Sequence, residues 1–177
     1  MKILILFTLL FSPTIIFSQS VKDLFLQIPN NVLEVSTENR PKIITEIADN
    51  LLKFRLSEVR KGELKIISQN KDEVLAGMTV SDCDGNSLQF LRVKNGVWKD
   101  VTKDLIKPLG KDDLVSILKA SPVTVTNPNQ ELGISMFYEF SADSNKLKLI
   151  ARKQDSCEIA GAVYNYNFNG KKFEIIK

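Results

Sequence analysis

The apolar residues of this chain change period several times, and each change marks an element. Val21, Leu24, Phe25 and Ile28 recur at helical spacing and predict a helix over 21–28. Pro29 ends it, and Pro29-Asn30-Asn31 reads as a turn. Residues 32–35 form a short apolar link. Asn39 can cap a second helix with Pro41 in its first turn, where a missing N–H costs nothing. Ile43, Ile44, Ile47, Leu51 and Phe54 then mark one apolar face, which predicts a helix ending between Phe54 and Lys61.

From Gly62 the period becomes two. Residues 64–69 and 73–83 read as strands joined by the polar turn Asn70-Lys71-Asp72, with Val74, Ala76, Met78 and Val80 on one face. Asp84-Gly85-Asn86 turns into a strand over 88–93. Asn95-Gly96 is a strong type I′ hairpin signal ahead of a short strand through Trp98. Helical character returns over 101–106 and 111–118, separated by Pro108 and Gly110. Pro122 and Pro128 confine 123–126 to an edge or irregular strand. Alternation resumes at Leu132, Ile134, Met136, Tyr138 and Phe140, continues through Leu147, Leu149 and Ala151, and is cleanest at Tyr164, Tyr166 and Phe168. Asn169-Gly170 is a second hairpin signal, and 173–176 is the last strand.

The blocks read helix, helix, four strands, twice over. The expected fold is α+β, helices packed on antiparallel β-meanders, as one domain over 19–177 with subunits 19–100 and 101–177. One face of each meander is polar, so the helices are expected to cover the other. The two-unit pattern resembles the architecture of secreted β-lactamase inhibitor proteins, a likeness that implies nothing about function.

Residues 1–18 alter where this fold is expected to work. Lys2 precedes an apolar run over 3–17, and Ser18 before Gln19 offers a cleavage site: the pattern of a secretory signal peptide. The run is shorter than the roughly 20 residues of a spanning helix, and Pro13 breaks it. The expected protein is exported, periplasmic or secreted, with no stable membrane span after cleavage. Cutting there leaves 177 − 18 = 159 residues. Removing Lys2 lowers the formal charge from +3 to 24 − 1 − 21 = +2, with acids and bases interleaved, which is no footprint for nucleic acid. Export also gives the two cysteines a new reading. A Cys83–Cys157 disulfide is plausible in an oxidising compartment, and it would close a loop of 157 − 83 = 74 residues.

The chain contains no histidine. That removes Ser-His-Asp and Cys-His catalysis and the usual zinc and haem ligand sets. Leu109-Gly110-Lys111 lacks the flanking residues of a phosphate loop. No cofactor and no metal centre is expected. Asp82-Cys83-Asp84-Gly85-Asn86 is the richest local cluster; its oxygens suit Ca²⁺, but the loop is too short for an EF-hand and has no closing Glu, so a hairpin turn is the reading. Cys83 between two aspartates is a poor nucleophile, because neighbouring carboxylates disfavour the thiolate. Asp112-Asp113 suits a helix start better than paired catalytic acids. The row Tyr164, Tyr166 and Phe168, with Tyr138 and Phe140, suits sugar or peptide recognition, or else packs in the core under the helices.

Several segments carry a family likeness: Lys22-Asp23-Leu24-Phe25, Ile28-Pro29-Asn30, Asn39-Arg40, Ser87-Leu88-Gln89-Phe90, Trp98, and the closing run from Tyr164 to Phe173. Through these the chain resembles an uncharacterised family of small secreted proteins from Bacteroides-type bacteria, a domain of unknown function. Phe168 stands where that family's pattern has Trp. The resemblance implies export and an α+β fold, and no activity. The expectation is a non-enzymatic exported protein that binds another macromolecule, a protein or glycan of the bacterial envelope, with Asp82, Asp84, Asn86, Tyr164 and Tyr166 as candidate binding residues. The alternatives are a hydrolase using carboxylates such as Asp82, Asp84 or Asp155, and a purely structural envelope module.

Overall fold

A computed structural model describes residues 19–83, 85–107, 134–153 and 159–176. Helix α1 (Val21–Gln27) starts at Ser20, whose hydroxyl accepts the Asp23 N–H at 3.1 Å and so satisfies one orphan donor of the first turn. Its stripe of Val21, Leu24 and Phe25, continued by Ile28, is fully buried. Helix α2 (Arg40–Ile43) is a single turn with Pro41 near its start. Strands β1 (Ile44–Ile47), β2 (Leu51–Arg55), β3 (Lys61–Gln69), β4 (Glu73–Ser81), β5 (Asn86–Lys94) and β6 (Val97–Asp100) follow as a six-stranded antiparallel meander in chain order. After the short α3 (Thr102–Leu105), strands β7 (Ile134–Phe140), β8 (Lys146–Lys153), β9 (Ile159–Phe168) and β10 (Phe173–Ile176) form a second antiparallel sheet, four strands in order.

The fold is therefore a sheet-rich α+β arrangement. The helix expected to run from Asn39 past Phe54 is instead one turn and a β-hairpin. Ile43, Ile44, Ile47, Leu51 and Phe54 fit helical spacing, but Ala48-Asp49-Asn50 turns the chain, with the Ala48 N–H donating to Leu51 O at 2.8 Å. The β-branched residues Ile44, Thr45 and Ile47 then sit where they suit a strand. Two equal helix-helix-four-strand units are not seen: the described residues give six strands and then four, and the inhibitor-like architecture is not established. Residues 111–118 and 123–126 lie outside the described residues.

The first sheet is covered on both faces, against the expectation that one stays open. One face carries Leu52, Phe54, Leu64, Ile66, Ala76 and Met78 against α1. The other carries Leu51, Ile67, Leu75 and Phe90 against Phe140, Leu147, Leu149, Tyr166 and Phe173 of the second sheet. Strand β4 is buried along all its interior positions, as a strand between two layers must be. The sheets approach closely at Gly77, where a Cβ would run into the Phe140 ring and press on Phe90. The rings there are ordered: Phe90 stacks on Phe173 at 4.8 Å and meets Phe140 edge-on at 6.2 Å.

The two Asn-Gly signals work differently. Asn95 and Gly96 both have positive φ, 52° and 75°, as a type I′ turn requires. At the second hairpin only Gly170 is positive, at 91°. Asn169 acts there through its side chain, accepting the N–H groups of Lys171 and Lys172 at 2.9 and 3.0 Å.

Candidate binding groove

Strand β7 is an edge of the second sheet, and edge strands leave alternate N–H and C=O groups without a partner strand. Ser141 N–H donates to Lys146 O, so Ser141 faces β8 and its neighbours in alternation, Phe140 and Tyr138, turn their backbone outward. Side chains of the first sheet meet them. The Glu63 carboxylate on β3 accepts the Phe140 N–H at 3.1 Å, and Asn86 Nδ2 on β5 donates to Tyr138 O at 3.2 Å. Two residues further along β3, on the same face, Lys65 crosses the same joint. Its side chain is 0% exposed, and Nζ donates to Ser141 O at 2.6 Å, Ala142 O at 3.1 Å and Asn50 Oδ1 at 3.2 Å. Three ammonium protons find three oxygens, which is what lets a lysine be buried.

Beside this joint, side chains of β2, β3 and β4 face those of β7 across a groove of about 290 Å³. Glu63 and Glu139 stand at one end with Tyr138. Arg55 and Lys61, Cα partners across β2 and β3, stand at the other with Ser81. Burial pushes the Glu63 carboxyl above its ordinary value, Glu139 and Glu46 add to that, and the Phe140 N–H and Lys53 oppose it. Burial raises the Tyr138 phenol, and the neighbouring Tyr166 hydroxyl opposes that. Lys53 is paired with Glu46 at 2.9 Å. Among the described residues, Arg55 and Lys61 have no carboxylate within ion-pair distance.

The residues singled out from sequence fall elsewhere. Asp82 sits in the β4–β5 turn, where its carboxylate accepts the Gly85 N–H at 3.1 Å. Asp84 and Asp155 lie outside the described residues. Asn86 is the clamp on Tyr138 described above. Tyr164 and Tyr166 pack edge-on at 6.4 Å on the face of β9 turned to the first sheet, with Tyr166 buried. The layer over this row is thus a sheet, where helices were expected. Asn165, Asn167 and Asn169 are exposed. Cys83 is held in a disulfide; Cys157 lies outside the described residues.

The groove residues carry no mark in sequence, because Lys53 and Arg55 fall at the end of the expected helix and Lys61 and Glu63 just ahead of the expected strand over 64–69, where charged side chains read as solvated surface. One signal was present: β4 is apolar or small on both sides, Leu75, Gly77 and Thr79 as well as Val74, Ala76, Met78 and Val80, so a second layer had to cover it.

No family model matches the chain, and no curated protein matches it. Among solved structures it is similar to a domain of an uncharacterized protein from Porphyromonas gingivalis W83, with 13% sequence identity, a TM-score of 0.48, and coverage of 86% of this chain and 95% of that one. A likeness at that level assigns no function. Among the described residues no helix is long and apolar enough to cross a membrane, and no three acidic or cysteine side chains gather as a metal site.

Proposed function

We propose that the protein is an exported, non-enzymatic binding protein of the bacterial envelope, a member of the secreted family its motifs resemble, and that it takes an acidic segment of a protein partner in the groove beside β7. The observation that carries this reading is the Arg55–Lys61 pair. Like charges opposite one another across two strands repel, and no acid among the described residues lies within ion-pair distance of either. A carboxylate entering the groove would relieve that repulsion and meet the Ser81 hydroxyl beside it. A protein segment suits the setting because the open edge strand β1 flanks the groove: Thr45 lines it, and Ile47 is 50% exposed.

Carboxylate catalysis is the second reading, favoured by Glu63 and Glu139 sharing one groove with the Glu63 carboxyl pushed up. Against it, Glu63 is already engaged by the Phe140 N–H. The test is titration with a synthetic acidic peptide at low ionic strength, monitored by calorimetry. Binding lost in the Arg55→Ala/Lys61→Ala variant, and weakened by salt, supports the proposal. Equal binding by both proteins sinks it. Binding of a uronate oligosaccharide and of no peptide transfers the site to a glycan.

A further inference from the structure

We propose that the protein carries a second binding site, on the face of the first sheet opposite the β7 groove, and that this site takes a short apolar peptide with both termini free.

Along β4, Thr79 and Ser81 line the first groove, and Met78 and Val80 alternate with them toward the layer of α1. Met78 and Val80 also line a hollow of about 500 Å³, within the roughly 300–1,000 Å³ of small-molecule sites. The rest of its lining comes from the loop over 31–35, the β2–β3 turn and the start of β5. These parts are fixed by the chain itself. In the loop, the Val32 and Leu33 N–H groups donate to Pro29 O at 2.9 and 3.1 Å, and Arg40 Nε donates to Val35 O at 3.1 Å. In the turn, the Leu56 N–H donates to Arg60 O at 2.9 Å, and the Arg60 N–H donates to the Ser57 hydroxyl at 3.1 Å.

Glu34 and Arg60 are exposed, opposite charges in this one hollow, yet among the described residues neither is in an ion pair. Gln89 lies across from Met78 in the β4–β5 ladder, is half-buried, and among the described residues its side-chain amide has no hydrogen bond. A carboxylate and a guanidinium held apart over an apolar floor are complemented by a zwitterion with an apolar body. Its ammonium meets Glu34, its carboxylate meets Arg60, and its aliphatic side chains cover Leu56, Met78 and Val80. The Gln89 amide, donor and acceptor in one group, matches the C=O and N–H of a peptide bond between those termini. A single amino acid has no such bond, and a fatty acid leaves Glu34 unmatched; a short peptide satisfies all three.

Titration of the ¹⁵N-labelled protein with dileucine, followed by NMR, tests this. Shifts are expected at residues 31–35, 56–60 and 87–89. Glu34→Gln and Arg60→Gln are each expected to weaken binding about three- to fivefold, the scale of one partly exposed ion pair. Both side chains are exposed, so neither variant disturbs the core. Acetylating the peptide's amine is expected to weaken its binding to the wild type by the same factor and to change nothing further in Glu34→Gln. Amidating its carboxylate is expected to do the same through Arg60. Arg55→Gln, which removes a charge from the opposite face, is expected to leave dileucine binding unchanged. No shift up to the solubility of the peptide overturns the proposal. So does an equal loss in Arg55→Gln, which reduces the effect to net charge. Leucine or octanoate binding as tightly as dileucine overturns the assignment to a peptide.

Discussion

Glu63 on β3 accepts the backbone N–H of Phe140 on β7 at 3.1 Å, so a side chain of one sheet closes the edge of the other. The bond pins the sheets at the mouth of the groove and holds a carboxylate out of water. Because the folded-state pKa of Glu63 is raised, the folded protein binds more protons than the unfolded chain between the ordinary carboxyl value and the raised one. Stability therefore falls as pH rises through that window, and the full cost is present above it. Glu63→Gln keeps an acceptor for Phe140 and loses the titration, so its stability is expected to be flatter across the window, measured by urea denaturation at a series of pH values. Glu63→Ala leaves the Phe140 N–H without its acceptor and is expected to cost about 1–3 kcal/mol.

Lys65 is a second pin at the same joint. Lys65→Met keeps the stem and removes the donors, leaving Ser141 O, Ala142 O and Asn50 Oδ1 short of a partner. A loss of about 2–4 kcal/mol is expected, since each buried orphan acceptor costs about 1–3 kcal/mol less whatever water recovers. Equilibrium unfolding measures it, and hydrogen exchange should show faster opening at the β7–β8 turn.

Gly77 sets the distance between the sheets. Gly77→Ala puts a methyl into the Phe140 ring and is expected to cost about 1–3 kcal/mol. Gly85→Ala meets nothing within 4 Å and serves as the control. Combining Gly77→Ala with Phe140→Leu should recover part of the loss, because the two sites share one contact; a double-mutant cycle reads the coupling.

Arg40 is buried at the end of α1 and ties the 28–39 loop to it. Nη1 donates to Leu26 O at 2.8 Å, Nη2 to Asn30 Oδ1 at 2.8 Å, and Nε to Val35 O at 3.1 Å. A lysine has a point charge in place of this fork and cannot reach all three acceptors. Arg40→Lys is expected to destabilise by about 1–3 kcal/mol and to raise protease cleavage within the loop.

The two cysteines of the chain are expected to pair with each other. Under denaturing conditions without reductant neither should react with a thiol probe, and peptide mapping should recover one Cys83–Cys157 fragment. Reduction opens a loop of 157 − 83 = 74 residues and should lower stability by about 4 kcal/mol on the chain-entropy account.

Local pattern was enough for much of this. The hairpins from β3 to β6 and from β7 to β10 follow from period-two apolar spacing and from turn residues that act within a few positions of themselves. The first helix follows from Val21, Leu24, Phe25 and Ile28 and from the stop at Pro29. Residues 43–54 predict a helix and fold as a hairpin, because their apolar spacing serves a helix face and a hairpin alike; pairing of β2 with β3 decides for the hairpin, and no local signal states that pairing.

Neighbours along the chain are enough to set the strands from β3 to β6 and from β7 to β10, their turns and their apolar faces. The tertiary structure alone decided which faces meet. Glu63 and Lys65 read as solvated polar positions, and Asn86 as a turn and candidate binding residue, until β7 lies across them, and the backbone groups they satisfy are 52 to 77 residues away. The groove lies between side chains of β2–β4 and those of β7, a fact of packing between elements that no periodicity within either one encodes.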